Sequence, residues 1–162
     1  MNSSSVPWRD FEARARELAG AGQRLLEDAP GVPGVAYLAT VGSDTTPRIH
    51  PFIPAVVAGE LCAFVIESPK QRDLERTGRF AIHSRLAAND ESFSCAGRSL
   101  RIDAHDQRAT AARHMPYTDI DEHHLLYQFH LSRALWTTWK TPTSPVYRTW
   151  NHDHPHASRT ET

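Results

Sequence analysis

The sequence predicts a mainly β fold with a few helices, closed into a small antiparallel barrel. Two observations predict it. Six or seven short apolar runs follow one another, and the links between the early ones, "GSDTTP" and "AGE", are only long enough for hairpin turns. A parallel sheet needs crossover connections of a dozen residues or more, so a doubly wound fold does not fit. Closure of such a set of strands removes the exposed edges an open sheet would present.

The elements follow in order. Residues 8–28 place Trp8, Phe11, Ala15, Leu18, Gly22 and Leu25 at spacings of three and four, with Arg and Glu between them. That is the pattern of an amphipathic helix. "APGVPG" then ends it, since Pro and Gly break helices. Strands are expected at 35–41 (VAYLATV), 48–57 (RIHPFIPAVV) and 61–66 (LCAFVI). "SPKQRDLERTG" reads as a short helix closed by Gly78, and strand 79–84 (RFAIHS) follows it. A polar loop at 85–92 leads into a long strand at 93–102, where Gly97 marks a bulge or a close approach. "DQRATAARHM" reads as a second short helix, 125–139 as a long aromatic strand, and 144–150 as the last one. Residues 1–150 thus form one domain with an N-terminal helix. Residues 151–162 are a polar tail, expected to be disordered.

Composition narrows the function classes. The 162 residues carry a net charge of −1, and 40% of them are apolar. A near-neutral chain lacks the basic surface that sequence-independent nucleic-acid binding requires. No apolar run approaches the ~20 residues that span a bilayer. The N-terminal stretch shows no apolar signal region, so a cytoplasmic protein is expected. Cys62 and Cys95 lie in strand-like segments and form no CxxC pair, so both read as reduced core thiols.

Two stretches carry candidate chemistry. On the strand "RIHPFIP", Arg48, His50 and Phe52 share one face, and Ile49, Pro51 and Ile53 share the other. The apolar face suits a core, leaving a cation and an imidazole together on the opposite side. Pro51 and Pro54 cannot donate to a ladder, so the strand is not paired fully on both flanks. The flank is either a ligand site or a solvated edge. Further on, the apolar run Phe64-Val65-Ile66 opens into Ser68, Pro69, Lys70, Arg72 and Asp73. Ser68 supplies a hydroxyl, Lys70 a compact charge and Arg72 a fork, next to a helix N-terminus that favours anions. The plainer reading makes Ser68 an N-cap, with both cations in solvent.

Taken together, "PRIHP", a hairpin and then "SPKQRDL" resemble the FMN-binding split-barrel family, the pyridoxamine 5'-phosphate oxidase-like proteins. "VAYLATV", "GELCAFV", "RFAIHS", "ESFSCAGR" and "RALWTTW…PVYRTW" extend the resemblance from Trp8 to about Trp150. It implies a six-stranded antiparallel split β-barrel that forms a homodimer, with FMN in a groove between the subunits. A deazaflavin coenzyme or haem replaces FMN in some branches. It further implies that Ser68, Lys70 and Arg72 bind the cofactor phosphate, and that Arg48 and His50 line the phosphate and ring region. Leu74 would form part of the wall, and Trp136 and Trp139 would approach from the partner subunit. The implied activity is a flavin-dependent oxidoreductase acting on a small molecule. A haem-binding member, or a cofactor-free protein holding another anionic ligand, are the alternatives. No catalytic acid or base is assigned, and His50 is the best placed candidate. The chain departs from the family in lacking an Asp-Gly turn at "GSDTTPR" and a match to the oxidases' C-terminal substrate-binding segment.

The remaining motifs carry less. "HDHPH" at 152–156 has metal-ligand chemistry but sits in the tail, and no functional metal is expected. His123 and His124 are adjacent and read as loop or helix-end residues. His83 and His130 lie in strand-like runs, where either would serve haem in the alternative reading. Trp150 reads as packing, and no GxSxG elbow appears.

Overall fold

A computed structural model of the protein describes residues 4–154. In chain order the elements are α1 (Trp8–Arg14), α2 (Arg16–Leu26), β1 (Glu27–Ala29), β2 (Val32–Pro33), β3 (Ala36–Val41), β4 (Pro47–Phe52), β5 (Ala55–Val57) and β6 (Glu60–Ile66). Then come α3 (Pro69–Thr77), β7 (Arg79–Ser84), β8 (Ser92–Ile102), α4 (His105–Ala112), β9 (His124–Thr141) and β10 (Ser144–Asn151). The main sheet is antiparallel throughout and runs β4-β3-β7-β8-β9-β6-β5, with β10 added to β9.

The two ends of that path, β4 and β5, are halves of one segment. Only Ile53 and Pro54 separate them. Where the sequence predicts one strand over 48–57, the chain bends instead, because Pro54 has no N–H to continue a ladder. β4 therefore pairs with β3, while β5 crosses to β6. The chain itself brings the sheet round on itself, as the predicted split barrel requires.

The predicted N-terminal helix is two helices. Ala15 leaves the helical region at φ −144°, ψ 56°. No Pro or Gly causes the break; packing on the barrel mouth does. α1 inserts Trp8 and Phe11, both fully buried. α2 turns away so that Gly22 lies against the Phe93 ring, where an added Cβ would meet ring carbon at 2.7 Å. Glu27–Pro33 then forms a two-strand hairpin around Pro30-Gly31, with Gly31 at φ +75°, where the sequence suggests only a helix stop.

α1 sits at the start of β6, its Arg9 amide donating to the Gly59 carbonyl at 2.9 Å, whereas α3 follows directly from the end of β6. The two helices thus close opposite ends of the barrel. Between them, Phe129 packs edge-on against both Phe52 and Phe80, with ring centroids 5.9 and 4.9 Å away. A second, smaller core lies outside the barrel wall, where Ala111 of α4 and Met115 just beyond it cover Cys62, Phe64 and Leu126. Both cysteines are free and buried, and burial pushes the Cys62 thiol up to about 12 and the Cys95 thiol up as well.

β9 is the spine. Its first part pairs with β6 on one side and β8 on the other, and its last part pairs with β8 and β10. Gly97 gives both of the expected effects. The register steps from Ala96↔Arg133 to Gly97↔Leu131, leaving Ser132 bulged, and the bare Gly97 lets the backbones nearly touch. The bulge changes which face each β9 residue presents: Tyr127, Phe129 and Leu131 face the core before it, Ala134 and Trp136 after it.

The tail is expected to begin at 151, but Asn151–His154 lies against the domain. The His152 amide donates to the Ser132 carbonyl at 2.8 Å, and Ser4 donates to Asp153 at 2.9 Å. Residues 155–162, including Pro155 and His156 of "HDHPH", lie outside the described residues.

Candidate functional site

The partition of "RIHPFIP" into two faces holds, but the faces are the reverse of those expected. Ile49 is 71% exposed and Pro51 is exposed, while Phe52 is buried and Arg48 and His50 are half-buried. The cause is β3. Its fully buried Ala36 and Leu38 and its nearly buried Thr40 pair with Phe52, His50 and Arg48 respectively, which fixes those three on the inward side. A strand whose inward face is polar is the mark of a barrel end where something other than core is met.

α3 meets that inward face. Pro69 opens the helix with a fixed φ, Gly78 ends it at φ +63°, and Ser68 is the N-cap. The Ser68 hydroxyl accepts from the Gln71 amide at 3.4 Å and donates to the Ile66 carbonyl at 2.9 Å. Its proton and one lone pair are therefore committed to the backbone, as the plainer reading had it. No acidic residue occupies the first turn, so the positive end of the helix dipole is left uncompensated.

The cations divide into two groups. Arg48 is tethered: its Nε lies 3.8 Å from Oδ2 of Asp73, a carboxylate only 5% exposed. The same oxygen accepts from Thr40 Oγ1 at 2.9 Å, and Arg76 stands 3.9 Å from Oδ1. Lys70 has no such partner. Among the described residues no carboxylate pairs with it, it is half-buried, and burial pulls its pKa down. Arg72 is exposed and likewise has no side-chain partner among the described residues.

His50 lies between the two groups. Its Nε2 is buried with no hydrogen-bond partner. Burial is the main influence lowering its proton affinity; Lys70 and Arg48 push the same way and Asp73 opposes them. The imidazole is therefore neutral near pH 7, with one buried nitrogen unmet.

A cavity of about 360 Å³ opens beside Lys70. Phe52, Phe64, Ile66 and Tyr117 give it apolar walls, and His124 supplies the other basic group. Asp121 fixes the His124 ring: its Oδ1 lies 2.8 Å from Nδ1. Sequence reasoning missed Asp73, Thr40 and the Asp121–His124 pair. Asp73 stands three residues before Arg76, the spacing at which an acid and a base on one helix meet, and that spacing is its signal in the sequence.

Not all the expected site residues converge. Leu74 is 2% exposed and belongs to the core, so it backs α3 from behind. Trp136 and Trp139 lie at the far end of β9, roughly 40–50 Å of extended strand beyond His124 at ~3.3 Å per residue. Trp136 donates to Glu91 at 2.8 Å, beneath the Arg148 guanidinium at 4.6 Å, and Glu91 is held by both terminal nitrogens of Arg24. Trp139 is 41% exposed and donates to the Asp90 carbonyl. Within one chain neither meets Lys70.

The other histidines are accounted for locally. His83 Nδ1 lies 2.6 Å from the Ser84 carbonyl on an exposed strand face. His130 stands 3.9 Å from Glu60, whose other oxygen accepts from Arg9. Among the described residues no group of three or more His, Cys, Asp or Glu is arranged to hold a metal ion, and no helix is long and apolar enough to cross a membrane.

No family model and no curated protein matches the sequence. Solved structures do match. One is a pyridoxamine 5'-phosphate oxidase-related, FMN-binding protein from Nostoc punctiforme, with TM-score 0.59 and 14% identity, covering 93% of each chain. PhzG from Burkholderia lata, solved with tetrahydrophenazine-1-carboxylic acid, matches at TM-score 0.61 and 13% identity over 90% of this chain and 87% of its own. A heme binding protein from Mycobacterium smegmatis matches at TM-score 0.61 and 16% identity over 86% of this chain, which spans 61% of that one. With its antiparallel sheet brought round through a broken strand, the chain has the fold of the pyridoxamine 5'-phosphate oxidase-related, FMN-binding split-barrel proteins.

Proposed function

We propose that the chain binds a phosphate-bearing flavin, FMN or a deazaflavin coenzyme, at the N-terminal end of α3 and serves as a cytoplasmic flavin-dependent oxidoreductase acting on a small molecule. One observation carries the reading: Lys70 is a half-buried ammonium with no carboxylate partner among the described residues, set beside a buried and unmet nitrogen of His50. An unpaired charge and an orphaned polar atom both cost free energy when buried. A phosphate group relieves both at once, in front of a helix end with no acidic residue in its first turn.

Lys70 and His50 would hold the phosphate, with Arg48 adding charge from its place on Asp73. Ser68 sets the start of the helix, and Arg72 reaches the anion from the exposed side. When bound, the flavin supplies hydride or electron transfer, while the protein binds and orients it. His50 is the side chain best placed to touch the ligand. The match to an FMN-binding neighbour supports this reading; the match to a heme binding one keeps haem in the test.

The test is a visible absorption spectrum of the purified protein, followed by titration with FMN, a deazaflavin coenzyme and haem. Saturable binding of FMN or deazaflavin is expected, with riboflavin binding more weakly. A Soret band on haem addition without flavin binding would replace the flavin reading. Binding of none of the three would leave the site to a different anionic ligand.

Trp136 and Trp139 reach this site only from a second copy, and the outer sheet face offers a place for one. Ile49, Ala39, Ala81 and Ala96 stand opposite one another across β4, β3, β7 and β8 and form an apolar row. Tyr37, 43% exposed, lies beside it, and a groove of about 660 Å³ continues past Leu135 and Tyr147. Ile49→Glu is expected to convert a homodimer into monomers in light scattering. Wild-type protein that is already monomeric would remove the two tryptophans from the site.

A further inference from the structure

Lys70 and His124 line one cavity, although they come from α3 and from the first residue of β9. The segment that carries His124 is anchored. Arg108 of α4 donates to the Asp121 carbonyl at 3.3 Å while its guanidinium lies 5.4 Å from the centre of the Phe64 ring. Asp121 in turn accepts the His123 amide at 2.9 Å and engages His124 Nδ1 at 2.8 Å. Both Oδ1 and the backbone amide of Asp121, at 2.8 and 3.3 Å, are on Nδ1, so Nε2 is the nitrogen left to meet a ligand. Phe52, Phe64 and Tyr117 supply the flat, apolar surface around it. This is a preorganised polar group in an apolar pocket, the arrangement by which sites discriminate among ligands of similar shape.

We infer that His124, aimed by Asp121, is a specificity-determining residue of this site: its Nε2 reads a hydrogen-bonding edge on the flat body of the ligand whose anionic group Lys70 holds. The inference rests on the flavin reading above and adds to it the part of the ligand that is recognised away from the phosphate. Lys70 then selects for the anion and His124 for the ring. Asp121 is a positioning residue: it acts on the ligand through His124, and Arg108 and the His123 amide hold it in place.

Fluorescence titration of FMN and riboflavin against the variants separates these roles. His124→Phe keeps a flat ring and removes both nitrogens; it is expected to weaken FMN and riboflavin alike, by about tenfold. His124→Gln, which restores a hydrogen-bonding group, is expected to recover part of that loss. Asp121→Asn is expected to weaken both ligands by a smaller factor. In the wild type, the 15N resonance of His124 Nε2 is expected to shift on FMN addition, which a merely structural histidine would not do. Melting temperatures close to wild type establish that each variant is folded. FMN and riboflavin affinities within twofold of wild type in folded His124→Phe, or a loss confined to FMN, would overturn the inference and leave the flavin reading standing. Wild-type protein that binds neither flavin overturns both.

Discussion

Lys70→Ala is expected to weaken FMN binding by about 1.5–3 kcal/mol, the range for a hydrogen bond to a charged group, while riboflavin affinity stays within about twofold. The difference between the two ligands is the phosphate, and Lys70 is the half-buried cation of the site that no carboxylate among the described residues occupies. Arg48 cannot substitute for it readily, because Asp73 and Thr40 hold the guanidinium and its counter-charge in a buried cluster. A second measurement fixes the sign. Removing a half-buried, unpaired ammonium should leave the melting temperature of the ligand-free protein unchanged or raise it, since that charge is paid for only when an anion is bound. A lysine that merely supported the fold would do the opposite, lowering stability and weakening both ligands equally.

Gly97→Ala is expected to destabilise the fold by about 3 kcal/mol, at the upper end of the range for overpacking. A Cβ there would stand 2.0 Å from the His130 carbonyl oxygen and 3.0 Å from both the His130 carbonyl carbon and the Ser132 amide nitrogen. All three atoms are backbone, so no side chain can rotate out of the way, and β8 must move from β9. Gly20→Ala is the internal contrast. Nothing lies within 4 Å of an added Cβ in the middle of α2, so that change is expected to stabilise by about 0.5–1 kcal/mol through helix propensity alone. Urea denaturation of the two variants checks both values. A Gly97→Ala protein as stable as wild type would mean that the two strands do not approach as closely as described.

Much of the fold was legible because alternation and turn chemistry are local. "SPKQRDLERTG" announced a capped helix through Ser68, Pro69 and Gly78, and it forms over Pro69–Thr77. Gly97 announced the bulge. What failed was non-local. The break at Ala15 follows from how α1 and α2 share the barrel mouth, and no residue near it signals a stop. The reversed faces of β4 failed for the same reason. Ile49 and Pro51 are apolar, but the register with Leu38 and Thr40 decides which side is inside. At the site, the cations were legible by type, while their pairing was not. That Arg48 is tethered while Lys70 has no carboxylate partner among the described residues depends on Asp73 packing against β3. His124 reads in the sequence as a loop or helix-end residue because its worth comes from Asp121 and from a cavity assembled by several separate segments.

The bulge at Ser132 also constrains how the sequence can change by insertion and deletion. Every residue of β9 after it owes its inward or outward position to one extra residue. Loss of Ser132 would turn Ala134 and Trp136 outward in a single step. It would strand Trp150 opposite the wrong neighbour and detach Trp136 from Glu91. Point substitutions can drift along this strand one at a time, but its length cannot. An alignment gap placed between Leu131 and Ala134 would therefore mark a chain whose second half of β9 has been rebuilt.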